Sequence, residues 1–382
     1  MVSNLKPRVG EFIRTAQGGM KKHYLVLAEG LLDMGMDVIA LCGFSTKDKV
    51  QLKDRGALVV PFPMKDTFNP VGEIRSIMKL AWLIRKHGIQ ILHCHGFRAG
   101  FTGRIASLLA GCNSVYTMHN YFPEGFGKRA KVIIAWVEKL LARKTKRIIT
   151  VSYALKKEAD ENMGIDTDKM KVIYNGIASP VSTIQSQSIR DKWGVNEGEV
   201  VIGTVARLIP SKGIEVLIDA IPQIIREYPG AKFMIIGDGP IMPDLKRKAA
   251  GLKCSDRVIF SGYIKDIWSY YETFDIFVLP TLSEGLGLSI IEAMSLGKPV
   301  ISTKIGGIQE VIEHNYNGYL VTPGDSEELA DAILYFLSHP SLVKEYGEKG
   351  RAMANKKFNP KTMIQETSQV IYDAITEGCK IM

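Results

Sequence analysis

Residues 283–299 read Ser-Glu-Gly-Leu-Gly-Leu-Ser-Ile-Ile-Glu-Ala-Met-Ser-Leu-Gly-Lys-Pro, and this stretch decides how the chain is interpreted. The apolar run Ile276-Phe-Val-Leu-Pro280 leads into it as a strand, and Leu288–Leu296 has helical character. Glu284 is therefore expected on the connecting loop, and Glu292 about two turns into the helix, facing the same cleft. The amides of Gly287, Leu288 and Ser289 fall at the helix N-terminus, where unpaired N–H groups and the helix dipole attract phosphate. A carboxylate for hydroxyls, a phosphate seat and a second carboxylate for hydroxyls suit a sugar nucleotide. A bare pair of glutamates at this spacing is more often simply solvated. The Gly-Leu-Gly turn, the strand before it and Gly297-Lys-Pro-Val-Ile-Ser302 after it give the pattern its specificity.

Working outwards, Gly203-Thr-Val-Ala-Arg-Leu-Ile-Pro-Ser-Lys-Gly213 ends a strand at Val205 and puts Arg207 on the loop. Lys212 then opens the next helix. A guanidinium fork beside a mobile ammonium suits two adjoining phosphates, although either residue alone would read as a surface charge. Gly237-Asp-Gly-Pro240 follows another strand at the carboxyl edge of the sheet, where ligands collect; it also reads as a tight turn. Ser261-Gly262 ends the strand Val258–Phe260 at the same edge.

In the first half, Gln17-Gly18-Gly19-Met20 joins the strand Arg8–Arg14 to a helix starting at Lys21, and paired glycines there let amides approach a phosphate or sugar. Gly10 and Glu11 interrupt that strand, so a less regular sheet edge is expected. Tyr116-Thr-Met-His-Asn120 leaves His119 at the carboxyl end of a strand, where a buried or capping role is the default. His93-Cys-His95-Gly places two imidazoles on one face, but no third ligand has suitable spacing, and a metal is not expected. Asp166-Thr-Asp168 reads as a turn or cap rather than a cation grip.

Short apolar runs alternate with amphipathic stretches throughout, the pattern of parallel sheets wrapped by helices. Strands are expected at Val38–Leu41, Leu58–Val60, Ile89–His93, Ser114–Met118 and Arg147–Val151. In the second half they fall at Val200–Val205, Lys232–Ile236, Val258–Phe260, Ile276–Leu279 and Pro299–Ser302. Each half is then a Rossmann-like α/β unit, with a polar linker over 179–188.

These motifs together resemble the retaining glycosyltransferases of family 4, and the resemblance spans nearly the whole chain. It implies the GT-B fold, an α/β architecture of two Rossmann-like domains facing a central cleft. The implied domains are 1–176, binding acceptor, and 177–360, binding the nucleotide sugar. A final helix in 361–382 is implied to pack back on the first domain. By resemblance, Arg207 and Lys212 stabilise the departing nucleoside diphosphate, Glu292 accepts from the ribose hydroxyls and Glu284 holds hydroxyls of the donor sugar. His119 is implied to point towards that sugar, Gly18, Gly19 and Gly237 to close on the donor, and Ser261-Gly262 to border the base. The implied reaction moves a hexosyl unit from a nucleotide sugar, most often UDP-linked, to a hydroxyl acceptor, with retention and without metal or cofactor. A nucleotide-sugar epimerase shares the fold, and a non-catalytic sugar-nucleotide sensor is the alternative outside enzymes.

The bulk properties agree with two domains. The chain has 382 residues, is 46% hydrophobic and carries a net charge of +9. Residues 1–175 hold 28 Lys and Arg against 15 Asp and Glu, a net of +13, leaving −4 for the rest. Such asymmetry points to an anionic partner for the first half, a lipid surface, a phospholipid-linked acceptor or nucleic acid, or else to a merely solvated basic surface. No aromatic-lined nucleic-acid motif is present. Within Phe126–Arg147, eight cations share a helix with Ile133, Ile134, Trp136, Val137, Leu140 and Leu141. An apolar stripe packed on the core with a solvated basic face is the favoured reading, and a basic face held on an anionic bilayer is the other. The five cysteines form no CxxC pair and read as buried thiols. With no apolar span or signal-like start, a cytoplasmic protein, peripheral on the inner membrane face, is expected.

Overall fold

The computed structural model describes residues 6–16, 18–64, 69–120, 127–177 and 186–379. Gln17, Phe126 and positions 179–185 of the expected linker lie outside the described residues. Two compact units emerge: Met1–Gly176 together with Pro360–Met382, and Ile177–Asn359.

The first unit is a parallel sheet. Its strands are β1 (Arg8–Ile13), β2 (Asp37–Cys42), β3 (Leu58–Pro61), β4 (Ile91–His95), β5 (Asn113–Met118), β6 (Arg147–Thr150) and β7 (Met170–Val172). They lie in the order β3-β2-β1-β4-β5-β6-β7. Helices α1 (Gly19–Asp33), α2 (Thr46–Asp54), α3 (Pro70–Lys86), α4 (Phe97–Ala110), α5 (Lys128–Lys144) and α6 (Tyr153–Met163) connect them. Local chemistry sets the ends: Asn69 accepts from the amides of Val71 and Gly72 with Pro70 at the first turn of α3. Ser152 caps α6 through the Leu155 amide, and left-handed Gly164 ends it.

The second unit carries β8 (Val200–Val205), β9 (Ala231–Ile236), β10 (Val258–Gly262), β11 (Ile276–Leu279), β12 (Val300–Thr303) and β13 (Tyr319–Val321). Their order is β10-β9-β8-β11-β12-β13, again parallel. The helices are α7 (Ser186–Lys192), α8 (Ile214–Glu227), α9 (Met242–Gly251), α10 (Trp268–Thr273), α11 (Leu288–Ser295), α12 (Ile308–Val311), α13 (Ser326–Ser338) and α14 (Pro340–Lys357). Strands covered on both faces are apolar along their length, as in Phe233–Ile236 and Ile276–Leu279, all essentially inaccessible.

The last helix, α15 (Pro360–Cys379), belongs to the first unit and packs on α1, β4 and β5. Its Met363, Val370, Ile371 and Ala374 join the core of Val9, Leu27 and Val115. Gly30 makes the approach possible, since a Cβ there would lie 2.4 Å from Ile364 Cδ1.

Three expectations need correction. β1 is an unbroken six-residue strand in the interior of the sheet, paired with both β2 and β4. Glu11 does not interrupt it, because its carboxylate is buried against two histidines. β4 runs two residues later than expected, so both His93 and His95 lie inside the strand; their polarity marked a strand end that their partners remove. Finally, α5 does not pack its whole apolar stripe inwards: Ile133 and Trp136 are each 62% exposed, and Glu138 is 1% exposed.

Candidate active site

In the second unit, the carboxyl ends of β8, β9 and β11 bring the sequence-predicted residues onto neighbouring turns. Arg207 is exposed on the turn after β8. That turn is clamped by the one after β9: the Leu208 amide donates to Asp238 O at 2.9 Å, and Ala206 N to Ile236 O at 3.0 Å. Gly237 adopts φ +140°, and a Cβ on it would fall 1.8 Å from Ala206 O. Only glycine fits here, so Gly237 shapes the backbone carrying Arg207. Its own amide donates to Gly262 O at 3.0 Å, joining the Ser261-Gly262 edge to the same cluster.

Lys212 closes a short 3₁₀ turn before α8 and reaches Glu284, with Nζ 2.5 Å from Oε2. The backbone holds both ends of this pair. The Leu282 amide donates to Ser211 O at 2.7 Å, and the Thr281 hydroxyl donates to the same carbonyl at 2.9 Å. Left-handed Gly213 permits the close passage, since a Cβ there would sit 1.9 Å from Pro280 O. Glu284 thus lies on the loop between β11 and α11, as the sequence reading places it. Among the described residues, Arg207 has no ion pair.

Gly287, at φ +86°, is the N-cap of α11, and its missing side chain leaves the Leu288 and Ser289 amides at an uncapped helix start. Glu292 is the fifth residue of α11, one turn in rather than two, and it is turned inwards, 4% exposed. The Tyr271 hydroxyl donates to its Oε2 at 2.8 Å. Burial, and then the Glu292 charge, push the Tyr271 phenol well above its ordinary range, so it stays a donor. Sequence reasoning missed Tyr271, which sits on a different helix with no motif around it.

The first unit holds a second polar cluster. Gly18, φ +68°, caps α1, whose first residue is Gly19. One turn along, His23 is 5% exposed, with its ring centroid 4.7 Å from that of His119. His119, 7% exposed, has Nε2 3.5 Å from His95 Nδ1. His95 Nε2 lies 2.6 Å from Glu11 Oε2, while Glu11 Oε1 lies 3.0 Å from His93 Nδ1. His93 Nε2 meets the Thr117 hydroxyl at 2.7 Å. Burial alone would raise the Glu11 carboxyl; the charge and hydrogen bonds of His93, joined by His95, bring it down to about 2. Burial, then His93, push His95 down to about 4 against the pull of Glu11. Burial also pushes His23 and His119 well below the usual imidazole range. No third ligand had suitable spacing in sequence beside His93 and His95; the fold brings Glu11, His23 and His119 to them from distant positions. The available signal was a lone carboxylate inside an apolar strand, which demands a buried partner.

Asp166 caps the short turn Thr167–Lys169, its Oδ1 accepting from the Asp168 amide at 3.0 Å. Cys42, Cys94 and Cys254 are buried free thiols, and Cys112 is half-buried.

Comparison with known proteins agrees with this arrangement. Residues 185–353 match the family described as glycosyl transferases group 1, and residues 17–179 match glycosyltransferase family 4. The UDP-Gal:alpha-D-GlcNAc-diphosphoundecaprenol alpha-1,3-galactosyltransferase of Escherichia coli is 30% identical over 272 residues, 69% of this chain and 70% of that one. An uncharacterized glycosyltransferase of Methanocaldococcus jannaschii is 28% identical over 373 residues, 92% and 94% of the two chains. Among solved structures, Anabaena HepE in complex with UDP and glucose matches 96% of this chain and 100% of that one, with a TM-score of 0.84 and 26% identity. The chain belongs to the glycosyl transferases of group 1 and is a glycosyltransferase of the GT-B fold, built from two Rossmann-like domains.

Proposed function

We propose that this glycosyltransferase moves a hexosyl unit from a UDP-linked donor to a hydroxyl acceptor, with retention and without a metal ion. The observation that carries this reading is the Lys212–Glu284 pair, held 2.5 Å apart beside the open N-terminus of α11. Glu284 holds hydroxyls of the transferred sugar, and Lys212 with exposed Arg207 faces the diphosphate. As the glycosidic bond breaks, charge grows on that diphosphate, and the two cations stabilise it as a divalent ion would elsewhere. The amides of Gly287, Leu288 and Ser289 add donors for a phosphate, and Glu292, oriented by Tyr271, accepts from the ribose. Gly18, Gly19 and His119 are assigned to the sugar through the family resemblance. Departure and attack occur on one face, with the leaving phosphate taking the acceptor proton. The relatives support the donor class: HepE was solved with UDP and glucose, and the E. coli enzyme is named for a UDP-galactose donor.

A lipid-linked acceptor on an anionic membrane surface completes the proposal. The E. coli relative is named for a diphosphoundecaprenol-linked acceptor. In this chain, α3 and α5 bury charge and expose apolar side chains. Glu73 and Glu138 point inwards to Arg98 and Arg104, while Ile74, Met78, Trp82, Val132, Ile133 and Trp136 face out. The same two helices also expose Arg75, Lys79, Lys86, Arg129, Lys139 and Arg143. Exposed apolar side chains and cations on the same helices suit the interface of an anionic bilayer. No helix among the described residues is long and apolar enough to cross a membrane.

The donor reading is tested by incubating EDTA-treated protein with UDP-, GDP- and ADP-sugars and measuring release of nucleoside diphosphate. Release from a UDP-hexose, lost in Glu284→Ala and Arg207→Ala, is expected. Activity abolished by EDTA and restored by manganese would overturn the metal-free mechanism.

A further inference from the structure

We propose that His23, His95 and His119 form a binding site for one borderline divalent transition-metal ion, with Zn²⁺ as its natural probe. One ligand nitrogen from each imidazole lies within 4.8 Å of the others, and all three side chains are buried.

The arrangement selects these three rings. Both nitrogens of His93 are engaged, by Glu11 and Thr117, which removes that ring from the ligand set. Glu11 accepts at His95 Nε2, so the proton sits there and the Nδ1 lone pair is aimed at His119. A carboxylate behind a histidine is the partner that fixes tautomer and raises basicity in metal sites. The 3.5 Å between His119 Nε2 and His95 Nδ1 is long for a hydrogen bond. It matches two nitrogens sharing one tetrahedral ion, which Zn–N bonds of about 2.0–2.1 Å place roughly 3.3 Å apart.

His23 gives the independent observation. Both its ring nitrogens are buried and neither has a partner among the described residues, on a side chain 5% exposed. A buried imidazole without hydrogen bonds is costly, and an ion accepting its lone pair removes that cost. With neutral nitrogen donors and no thiolate at the site, zinc, copper and nickel are favoured over magnesium, calcium and manganese. Three protein ligands leave one coordination position for another donor.

Occupancy also bears on the proposed transfer. If His119 contacts the donor sugar, an ion on its Nε2 competes with that contact, and zinc inhibits an enzyme that needs no metal. This clause rests on the function proposed above; the site itself does not.

The test is calorimetric titration of the metal-free full chain with ZnCl₂, paired with the visible spectrum of the Co²⁺-loaded protein. One ion per chain with micromolar or tighter affinity is expected, with the intense bands of tetrahedral cobalt. His23→Ala should weaken binding about 100-fold and abolish the bands. Glu11→Gln, which leaves all three ligands, should weaken it about 10-fold. His314→Ala, on the other unit, should change nothing. Absence of stoichiometric binding, or binding that His23→Ala leaves intact, overturns the site. Because both readouts are independent of turnover, an inactive protein would refute the proposed transfer without touching this result. Retained cooperative unfolding of His23→Ala separates lost ligation from lost fold.

Discussion

Glu138 grips Nη2 of Arg104 between its two carboxylate oxygens, at 2.6 and 2.7 Å, with neither side chain more than 1% exposed. The guanidinium also lies 4.3 Å from the centre of the Tyr116 ring, so the pair ties α5 and α4 to the sheet. Removing one partner strands a charge in the interior. Glu138→Ala should therefore lose about 3–5 kcal/mol of stability, measured by urea unfolding. The apolar double replacement Arg104→Met with Glu138→Leu should recover most of it, because desolvation offsets much of what a buried ion pair contributes.

The Lys212–Glu284 pair behaves differently. Its side chains keep 19% and 13% exposure against 1% for the Arg104–Glu138 pair, so some solvent reaches it and its stability contribution is on the order of 1 kcal/mol. Lys212→Ala should leave the unfolding midpoint nearly unchanged and lower kcat about 100-fold or more, since the role proposed for the cation is to stabilise charge that develops in the transition state. A comparable loss of stability and activity together would assign the pair to the fold instead.

Tyr271→Phe removes the hydroxyl that donates to buried Glu292. Losing one hydrogen bond to a charged acceptor costs about 1.5–3 kcal/mol. The larger functional effect should fall on KM for the nucleotide donor, with kcat nearly retained, because the role proposed for Glu292 is to orient the ribose and not the bond that breaks. Initial rates across donor concentration separate the two.

Acid should weaken the first unit in two steps. His95 is held at about 4, below the ordinary imidazole value, so between that value and about 4 the unfolded chain binds the proton and the folded chain does not. Its stabilisation is full above about pH 6.5 and is lost as pH falls towards 4. Glu11, lowered to about 2, adds a contribution present above the ordinary carboxyl value and lost between there and about 2. Both have the same sign, so the thermal midpoint should be flat above neutrality and fall continuously from mildly acidic pH. A midpoint that rose on acidification to pH 5 would contradict the buried, neutral imidazoles.

For the outward face of α5, Ile133→Ser with Trp136→Ser should reduce binding to anionic vesicles at every salt concentration. Replacing Arg129, Lys139 and Arg143 by Ser should remove mainly the salt-sensitive part, about 1 kcal/mol per charge near the surface. Sedimentation with vesicles of anionic and of zwitterionic lipid reads both. Equal binding by all variants would return α5 to a merely solvated helix.

The sequence by itself carried the alternation of strands and helices, because parallel strands buried on both faces must be apolar along their length, and it put Glu284, Arg207 and the α11 start on turns after strands. Those are local properties: strand runs, glycine turns and helix starts are set within about ten residues. Tertiary structure decided what depends on distant partners. Glu11 looked like a flaw in β1 until β4 supplied His93 and His95 beside it, 82 and 84 positions away. The stripe of α5 looked like core until Arg104, 34 positions away, claimed Glu138 for the interior and turned Trp136 outwards. Burial of a charge is a two-body decision, and one-dimensional patterning records only one of the bodies.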